Sequence, residues 1–449
     1  MAGYQELHVL LNEELDQRKE EGFAFDRSAL QARIDAARGN QQALMAIYAD
    51  LQKLPPVEDY PYVEPNDYPE ILAASALGNT VSPLPEGDTL YDRFYGAWLG
   101  RCIGCALGQP VELWNHEGIE TWCTKADAWP LANYMPTHSR AEAQDNMKLN
   151  SLNCSDEVMQ FMPTDDDIRY TVLGLLLVQS NGSTFDSWDV ANHWTRLLPF
   201  RFLCTAENQA YLNFCNLDAF GPWGVKPDNA VEQARSCATL LNPYREWIGA
   251  QIRIDAYGYV AAGNPHLAAK MAYEDAAFSH TKNGIYGAMF FAALIAAAFT
   301  EKNLDQAIAM ALAEVPARSR FYEAAVRAVA IGHSATSRQE VIETIQREFG
   351  AYNAVHTINN AALCIAAMTY SKGDFEEALC LSVAGGMDTD CNGATVGSVM
   401  GALVGAAQIP AKWTAPLHDT LYSQLPDYHP IAISELAKRT MDTYIKLKA

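Results

Sequence analysis

The sequence is short of basic residues, and this shortage limits what the protein can bind. Its 449 residues include 32 lysines and arginines against 54 aspartates and glutamates, which gives a formal net charge of −22. Because nucleic-acid binding requires clustered basic side chains to neutralise phosphates, we expect no nucleic-acid partner. A substrate that carries phosphates would need a bound cation to offset the like-sign charge.

No segment has the composition of a secretory leader or a clear membrane span. Charged residues fill the N-terminal stretch where a signal peptide would be apolar. The uncharged run from Cys391 to Pro410 is long enough to cross a bilayer, but it contains four glycines and several polar residues, so we interpret it as a buried helix. The ten cysteines form no evident disulfide framework, which is typical of free thiols in a reducing compartment. We therefore expect a cytoplasmic protein with no membrane partner.

Strand signals are also sparse, whereas apolar residues recur at helical spacing along most of the chain. Amphipathic helices are predicted at 4–21, 27–37 and 40–54, before a proline-rich connector. Further helices are predicted at 92–107, 167–179, 266–277, 284–300, 303–314, 320–332, 338–348, 358–370, 375–384, 393–407 and 431–447. The pattern predicts an all-α protein: a compact multi-helix bundle over residues 86–449, preceded by an accessory helical segment and linker over residues 1–85.

Two of the predicted helices carry glycine at every fourth position. The first series is Gly96, Gly100, Gly104 and Gly108, and the second is Gly393, Gly397, Gly401 and Gly405. Each interior glycine costs a helix up to about 1 kcal/mol relative to alanine, so eight of them need a compensating contact. Because residues four apart share a helix face, each helix would present a bare stripe to which another backbone can come close. We expect the two helices to pack tightly at the centre of the domain and to hold the loops at their ends.

Acidic residues are concentrated at the ends of three apolar helices. The clusters are Glu112, then Thr164, Asp165, Asp166 and Asp167, then Asp388 and Asp390. Helix capping is the simplest interpretation, but one side chain suffices for a cap and three consecutive aspartates repel one another. Carboxylates on short loops suit a hard divalent cation such as Mg²⁺ or Mn²⁺. If the clusters converge, they predict a site for two cations about 3.5–4 Å apart.

Around these residues the sequence resembles the ADP-ribosylglycohydrolase family, whose members include the dinitrogenase reductase-activating glycohydrolase. The resemblance is carried, in order, by DRFYGAWLGRCIGCALGQPVE, PTDDDIRYTVLGLLLV, FSHTKNGIYGAMFFAALIAAAF and GGMDTDCNGATVGSVMGALVGA. These segments extend from residue 92 to about residue 406, so the accessory segment lies outside the resemblance. The resemblance implies an all-α bundle with a dinuclear magnesium site in a cleft, for which Mn²⁺ is the alternative ion.

The resemblance also implies roles for individual residues. The implied metal ligands are Thr164, Asp165, Asp166, Asp388 and Asp390, and the implied catalytic residues are Glu112, Asp166 and Asp388. The implied substrate contacts are His280 and Asn283 and, through a looser match to a glycine-rich loop that approaches the diphosphate, Gly249, Ala250 and Gln251. Without the resemblance, a lone histidine such as His280 is more often structural.

Two cysteines depart from the family's pattern. Cys391 stands where a hydroxyl residue usually follows the D-x-D motif, and Cys105 stands at an acidic position of the GDALG motif. Because a neutral thiol is a poor magnesium ligand, a water molecule or Asn392 would substitute for Cys391, or one metal would bind weakly. Cys102 and Cys105 also form a CxxC pair, which we interpret as structural thiols because no second pair or nearby histidine completes a zinc site.

The acidic clusters and the resemblance together predict a metal-dependent hydrolase of an N- or O-ribosyl bond. The expected partner is a substrate that contains ADP-ribose or another ribosyl group, with an ADP-ribosylated protein as one candidate. A small nucleoside-like metabolite is an alternative, because the aromatic-rich segment from Trp114 to Phe220 could close a pocket. A non-enzymatic ADP-ribose-binding or structural protein is another. Without the resemblance, a metal-dependent phosphohydrolase would be the leading alternative.

Overall fold

The computed structural model describes residues 4–76, 83–217, 226–301 and 303–448, and this part of the chain is mainly helical. The first helices are α1 (Leu7–Glu20), α2 (Arg27–Ala36), α3 (Gln41–Leu51) and α4 (Tyr68–Ala74). The main part contains α5 (Gly87–Gly108), α6 (His116–Lys125), α7 (Ala141–Asp145), α8 (Asp166–Asn181), α9 (Ser187–Leu197), α10 (Thr205–Cys215), α11 (Ala230–Ser236), α12 (Asp255–Val260), α13 (Pro265–Ala276), α14 (Asn283–Ala298), α15 (Leu304–Leu312), α16 (Arg320–Ser334), α17 (Arg338–Phe349), α18 (Thr357–Ser371), α19 (Phe375–Ala384), α20 (Thr389–Val404), α21 (Ala411–Thr414) and α22 (Ile433–Lys448). Strands β1 (Thr420–Leu421) and β2 (Ile431–Ala432) pair antiparallel. The all-α prediction is confirmed.

Helices α5 and α20 lie antiparallel at the centre of the fold, and their glycines face one another as predicted. The facing pairs are Gly96 with Gly401, Gly100 with Gly397, and Gly104 with Gly393; a Cβ atom added to any of them would overlap the backbone of its partner. Gly108 faces the backbone of Thr389 in the same way. Gly405 differs from the prediction, because it ends α20 with φ +84° and faces Asp92. The last glycine of the series is therefore a helix stop.

The uncharged C-terminal run is a buried helix, as the sequence indicated. Every residue of α20 from Thr389 to Ala402 is buried, as is the whole of α14. Within the residues that the structure describes, no helix combines the length and the apolar character needed to cross a membrane. Polar residues such as Thr395 and Ser398 are among the buried residues of α20.

One arginine is fully buried inside α5 and fixes two other elements against it. Arg101 lies 3.2 Å from a carboxylate oxygen of Asp167 in α8 and 2.6 Å from one of Asp255 in α12. It also donates a hydrogen bond of 2.6 Å to the carbonyl of Ile252. Because an uncompensated buried charge is strongly destabilising, these contacts hold α8 and α12 in one position relative to α5.

The N-terminal segment packs on the main part through buried charged side chains. Arg245 donates to Glu14 of α1 at 2.7 Å and to Glu21 at 2.9 Å. Arg320 similarly pairs with Glu64, in the connector after α3, at 2.8 Å. Gln17 of α1 completes the contact with a 2.8 Å hydrogen bond to Glu246. The predicted linker falls partly outside the described residues, and the domain boundary near residue 85 stays a prediction.

The close contact between α5 and α20 can be tested by adding one methyl group. In the Gly100→Ala variant the new Cβ meets the backbone of Gly397, which cannot move without separating the helices. We expect the free energy of unfolding, measured by urea denaturation, to fall by about 3 kcal/mol, and the Gly100→Leu variant not to fold.

Gly118→Ala is the matched control, because Gly118 is also helical but the atom nearest to its added Cβ is a side-chain oxygen of Asn115 at 3.1 Å. We expect this variant to change stability by less than about 1 kcal/mol. A Gly100→Ala variant as stable as the unmodified protein would contradict the tight packing.

Candidate active site

The acidic residues singled out in the sequence lie together at one end of the α5–α20 pair. Ligand atoms within 4.8 Å of one another form three overlapping groups: Glu112, Asp388 and Asp390; Asp165, Asp166 and Asp167; and Cys105, Asp165 and Asp390. Asp165 and Asp390 each belong to two groups, so they link the groups into one cluster. The expected convergence of distant parts of the chain is therefore present in the structure.

The glycine helices bring the first and third acidic segments together. The hydroxyl of Thr389 donates a 2.8 Å hydrogen bond to the carbonyl of Gly108, which ties the start of α20 to the end of α5. Just beyond it, the amide of Leu113 donates to the carbonyl of Met387 at 2.9 Å. These backbone contacts place Glu112 beside the D-x-D motif, although 275 residues separate Glu112 from Met387 in the sequence.

The second segment reaches the cluster through a helix cap. One oxygen of Asp165 accepts the amide of Asp167 at the start of α8, at 3.0 Å, and the other accepts the Gln109 amide at 2.8 Å. The capping interpretation is thus correct for Asp165, which caps α8 and also belongs to the carboxylate cluster. In contrast, Asp388 precedes α20 without making a side-chain cap hydrogen bond. Its carboxylate is free of that role and faces the cavity described below.

Several carboxyl groups of the cluster are buried close to one another, which disfavours their ionised forms. Burial raises the pKa of Glu112 to about 7, and the neighbouring Asp388 and Asp165 contribute to the shift. Burial also raises the pKa of Asp388 to about 6 and those of Asp166 and Asp390 well above the usual range. The buried Oδ1 of Asp390 has no hydrogen-bond partner among the described residues. A hard divalent cation with oxygen ligands fits this donor set and would relieve the repulsion.

The hydroxyl, thiol and amide side chains near the carboxylates make contacts of their own. The Thr164 hydroxyl accepts a 3.0 Å hydrogen bond from Arg169. Cys105 is buried beside the carboxylates, and burial together with Asp165 raises its pKa, so it is a neutral thiol. Cys391 is also buried. Asn392, which the sequence offered as a substitute ligand, instead donates its amide to Asn360 at 2.8 Å.

A cavity of about 460 Å³ opens onto the cluster. Its acidic side is formed by Glu112, Asp166, Asp167, Asp388 and Asp390, and its other sides include Leu113, Cys204, Thr205, Glu207, Trp247, Ile248, Gly249, Ile252, Asn353, Ala354 and Val355. Its volume lies in the range of pockets that enclose small molecules of cofactor size. The acidic groups therefore face a space that can hold an organic ligand, not only an ion.

A second buried ion pair supports another part of the cavity lining. Glu207 of α10 lines the cavity and accepts a 2.6 Å hydrogen bond from Arg253, which also donates to Asp275 at 2.6 Å. A Cβ atom on Gly249 would overlap the Glu207 carboxylate, which explains the glycine there. Sequence analysis missed Glu207, Arg253 and Arg101. The signal that could have revealed Arg101 is a single charge within an otherwise uncharged, glycine-rich helical run.

Of the residues expected to contact the substrate, only Gly249 lines the cavity. His280 is fully buried, with Nδ1 at 2.8 Å from the Ser279 hydroxyl, and burial lowers its pKa well below the usual value. Asn283 donates to Glu246 at 2.7 Å, inside the contact with the N-terminal segment. Ala250 and Gln251 are buried in the 3-10 turn Ile248–Arg253. The side chains of these four residues lie in the interior. The substrate contacts expected of them, which for Ala250 and Gln251 are contacts through backbone N–H groups, stay a prediction.

Comparisons with known proteins bear on the family to which this chain belongs. A solved structure described as an "ADP-ribosylglycohydrolase-related protein complex" is 18% identical and aligns with 80% of this chain and 99% of its own, at a TM-score of 0.45. No curated protein matches the sequence significantly. The family model of the ADP-ribosylglycohydrolases matches residues 86–445. This chain therefore belongs to the ADP-ribosylglycohydrolase family and is a hydrolase of glycosyl bonds.

Proposed function

We propose that this protein is a metal-dependent glycohydrolase that cleaves an N- or O-ribosyl bond of an ADP-ribosylated substrate. The observation that carries the proposal is the carboxylate cluster at the base of a cavity of about 460 Å³. A phosphohydrolase for simple phosphate esters would not need the apolar side chains of Ile248, Ile252 and Val355, which line the same cavity as the carboxylates. A ribosyl substrate with a nucleotide portion would contact both the carboxylates and the apolar side chains.

The donor set fits two divalent cations, for which we propose Mg²⁺ with Mn²⁺ as the alternative. The residues that would hold them are Asp165, Asp166, Asp388 and Asp390. The hydroxyl of Thr164, which precedes Asp165 and accepts from Arg169, is a further candidate ligand. When bound, the cations would orient the ribose hydroxyls, polarise a water molecule and offset the charge of the substrate's phosphates. The overall charge of −22 makes this compensation necessary for an anionic substrate.

Glu112 is the residue best placed to manage the proton of the attacking water. Cleavage of a ribosyl bond develops positive character at C1′, to which water adds while the leaving group departs. A general base must be ionised at the working pH. Burial raises the pKa of Glu112 to about 7 in the metal-free protein, and a cation held by the neighbouring Asp388 would lower it and keep the carboxylate ionised. Its carboxylate lines the cavity within 4.8 Å of the ligand atoms of Asp388 and Asp390, so a water held there is within reach.

The cavity residues around Gly249 and Glu207 would bind the rest of the substrate. The backbone of Gly249 lies in the 3-10 turn that lines the cavity, where its amide is a candidate donor to a diphosphate. Glu207 alone would repel the phosphates of the substrate. Arg253 neutralises this charge by donating a 2.6 Å hydrogen bond to the Glu207 carboxylate. The aliphatic side chains beside it exclude water from the nucleoside portion.

The first prediction concerns the metal. Protons and cations compete for the same oxygens, and the pKa values of about 7 and 6 for Glu112 and Asp388 place this competition near neutrality. Carboxyls with raised pKa stabilise the metal-free protein at low pH and lose that contribution as the pH rises through 6–7. We expect Mg²⁺ or Mn²⁺ at a hundred times its Kd to stabilise the fold by about 2.7 kcal/mol, with tighter binding at pH 8 than at pH 6.

The measurement is thermal unfolding over a range of metal concentrations at both pH values. The Asp390→Asn variant should lose most of the metal-dependent stabilisation, whereas the exposed control Asp127→Asn should retain it. Stabilisation by metal that is identical in Asp390→Asn and in the unmodified protein would contradict the proposed site.

The second prediction concerns turnover. We expect release of ADP-ribose from ADP-ribosylated model substrates to stop in excess chelator and to return when Mg²⁺ or Mn²⁺ is added. Glu112→Gln should lower kcat by about 10²–10⁴-fold, because the neutral amide cannot accept a proton from water. Asp166→Asn and Asp390→Asn should abolish nearly all turnover with little loss of folding stability.

Product analysis by liquid chromatography follows the reaction, with Asp127→Asn as the control that should react at the normal rate. Undiminished hydrolysis in excess chelator would end the proposal of metal dependence. Release of inorganic phosphate without ribosyl cleavage would identify a phosphohydrolase instead.

A further inference from the structure

The groups of ligand atoms in the carboxylate cluster differ in one respect, because one of them contains sulfur. The thiol of Cys105 in α5 lies within 4.8 Å of ligand atoms of Asp165 and Asp390. A second group, formed by Glu112, Asp388 and Asp390, contains oxygen alone. Asp390 belongs to both groups, so a cation in each of them would share its carboxylate. The cluster therefore offers two adjacent positions whose ligands differ in chemistry.

The position with the sulfur lies behind the one that faces the substrate cavity. Glu112, Asp388 and Asp390 line that cavity, whereas Cys105 and Asp165 are not among the described residues that form its sides. The Cys105 side chain has no exposed surface, and Asp390 is only 3% exposed. A cation between these groups would be enclosed by protein. Closed sites of this kind hold structural metals, whereas catalytic metals keep a position open to the substrate.

The contact between the glycine helices brings the thiol and one carboxylate together. Cys105 follows Gly104, whose added Cβ atom would overlap the backbone of Gly393 in α20, and Asp390 lies three residues before Gly393. In the described part of the chain the Cys105 thiol donates no hydrogen bond, although the buried thiol of Cys154 donates to a side-chain oxygen. The Cys105 sulfur is therefore not engaged in the hydrogen bonds that hold the fold.

Asp390 gives a second and independent indication of a ligand. Its Oδ1 atom is buried and has no hydrogen-bond partner among the described residues. A buried acceptor without a donor is costly, and a cation beside it would satisfy it. The third residue, Asp165, accepts one hydrogen bond on each oxygen, from Asp167 and from Gln109. Because a carboxylate oxygen has two lone pairs, each oxygen of Asp165 keeps one for a cation.

Sulfur and oxygen ligands select different cations. Thiolates favour Zn²⁺ and ions of similar softness, whereas ligand sets of carboxylates alone suit Mg²⁺ and Mn²⁺. A thiol binds a metal as the thiolate, and a divalent cation of the softer kind removes the thiol proton as it binds. Three protein ligands from cysteine and carboxylate side chains are within the range found at zinc sites. The position at Cys105 therefore suits a softer ion than the position at Glu112.

We propose that Cys105, Asp165 and Asp390 form a structural site for a thiophilic divalent cation of the Zn²⁺ class, behind the oxygen-only position at Glu112. The inference rests on the proposed function in that it assigns one of the two cations. On binding, the S–H bond of Cys105 breaks, its proton passes to solvent, and the sulfur electron pair forms the bond to the metal, without oxidation or reduction. The ion would join the end of α5 to the starts of α8 and α20.

Titration of the whole chain with Co²⁺, followed by absorption spectroscopy, tests the site. Co²⁺ substitutes for Zn²⁺, and its bond to a thiolate gives a near-ultraviolet charge-transfer band that bonds to carboxylates lack. The starting protein carries Cys204→Ser and Cys215→Ser, which remove the exposed thiols. We expect Co²⁺ to produce the band and Cys105→Ser to lose it. Cys102→Ser is the matched control, because it changes another buried thiol of α5 that belongs to none of the three groups, and it should keep the band.

Calorimetry supplies a second measurement. Cys105→Ser should weaken Co²⁺ binding at least about tenfold, as for other changes around a bound metal, and leave the Kd for Mg²⁺ unchanged. Cys105→Ala provides a second variant if serine impairs folding. No thiolate band in protein that retains Cys105, or equal Co²⁺ affinities of Cys105→Ser and Cys102→Ser, would overturn the inference.

The same titrations separate this inference from the proposed function. Binding of Mg²⁺ without a cobalt–thiolate band would overturn the sulfur site alone and leave the metal-dependent hydrolase intact. A protein that binds neither Co²⁺ nor Mg²⁺ would overturn both.

Discussion

The contact on which the rest of the structure depends is the one between the backbones of α5 and α20. Side chains on either helix would keep the two axes apart, and three facing pairs of glycines remove them at the contact. The helices therefore meet along their length, and the end of one lies against the start of the other. The Thr389 hydroxyl is bonded to the Gly108 carbonyl as a result. Glu112 and the D-x-D motif then occupy one site, although they are far apart in the sequence.

Buried charges position the remaining parts of the site at a considerable electrostatic cost. Arg101 inside α5 holds the start of α8, which carries Asp165 and Asp166, through its contacts with Asp167. Arg253 similarly supports Glu207, which lines the same cavity. Both arginines are compensated by carboxylates, Arg101 by Asp167 of the cluster itself. Among the described residues, no lysine or arginine forms an ion pair with the other carboxylates of the cluster, which are Glu112, Asp165, Asp166, Asp388 and Asp390. Carboxylates paired with an arginine hold the helices in place, whereas carboxylates without such a pair are available to a metal.

The N-terminal segment changes the cleft as well as the surface. Its contact with the main part is polar and buried, since Arg245 meets Glu14 and Glu21 there. Such pairs tolerate little displacement, because loss of one partner leaves the other charge buried and unpaired. Helix α1 is therefore held firmly enough for Glu13 and Glu20 to line a second cavity beside the one at the carboxylate cluster. This part of the chain lies outside the family match, which begins at residue 86.

The sequence by itself determined most of the longer helices, the central glycine contact and the acidic cluster, whereas it did not predict α4, α6, α7, α9–α12 and α21. Each of these depends on local spacing: apolar periodicity marks a helix, four-residue spacing marks one face, and helix ends locate Asp165 and Asp388. Only the tertiary structure decided which side chains face the cavity. His280 and Asn283 turn inward to Ser279 and Glu246, and α1 reaches the cleft, because these outcomes depend on contacts between residues far apart in the chain. Local patterns carry no information about such partners.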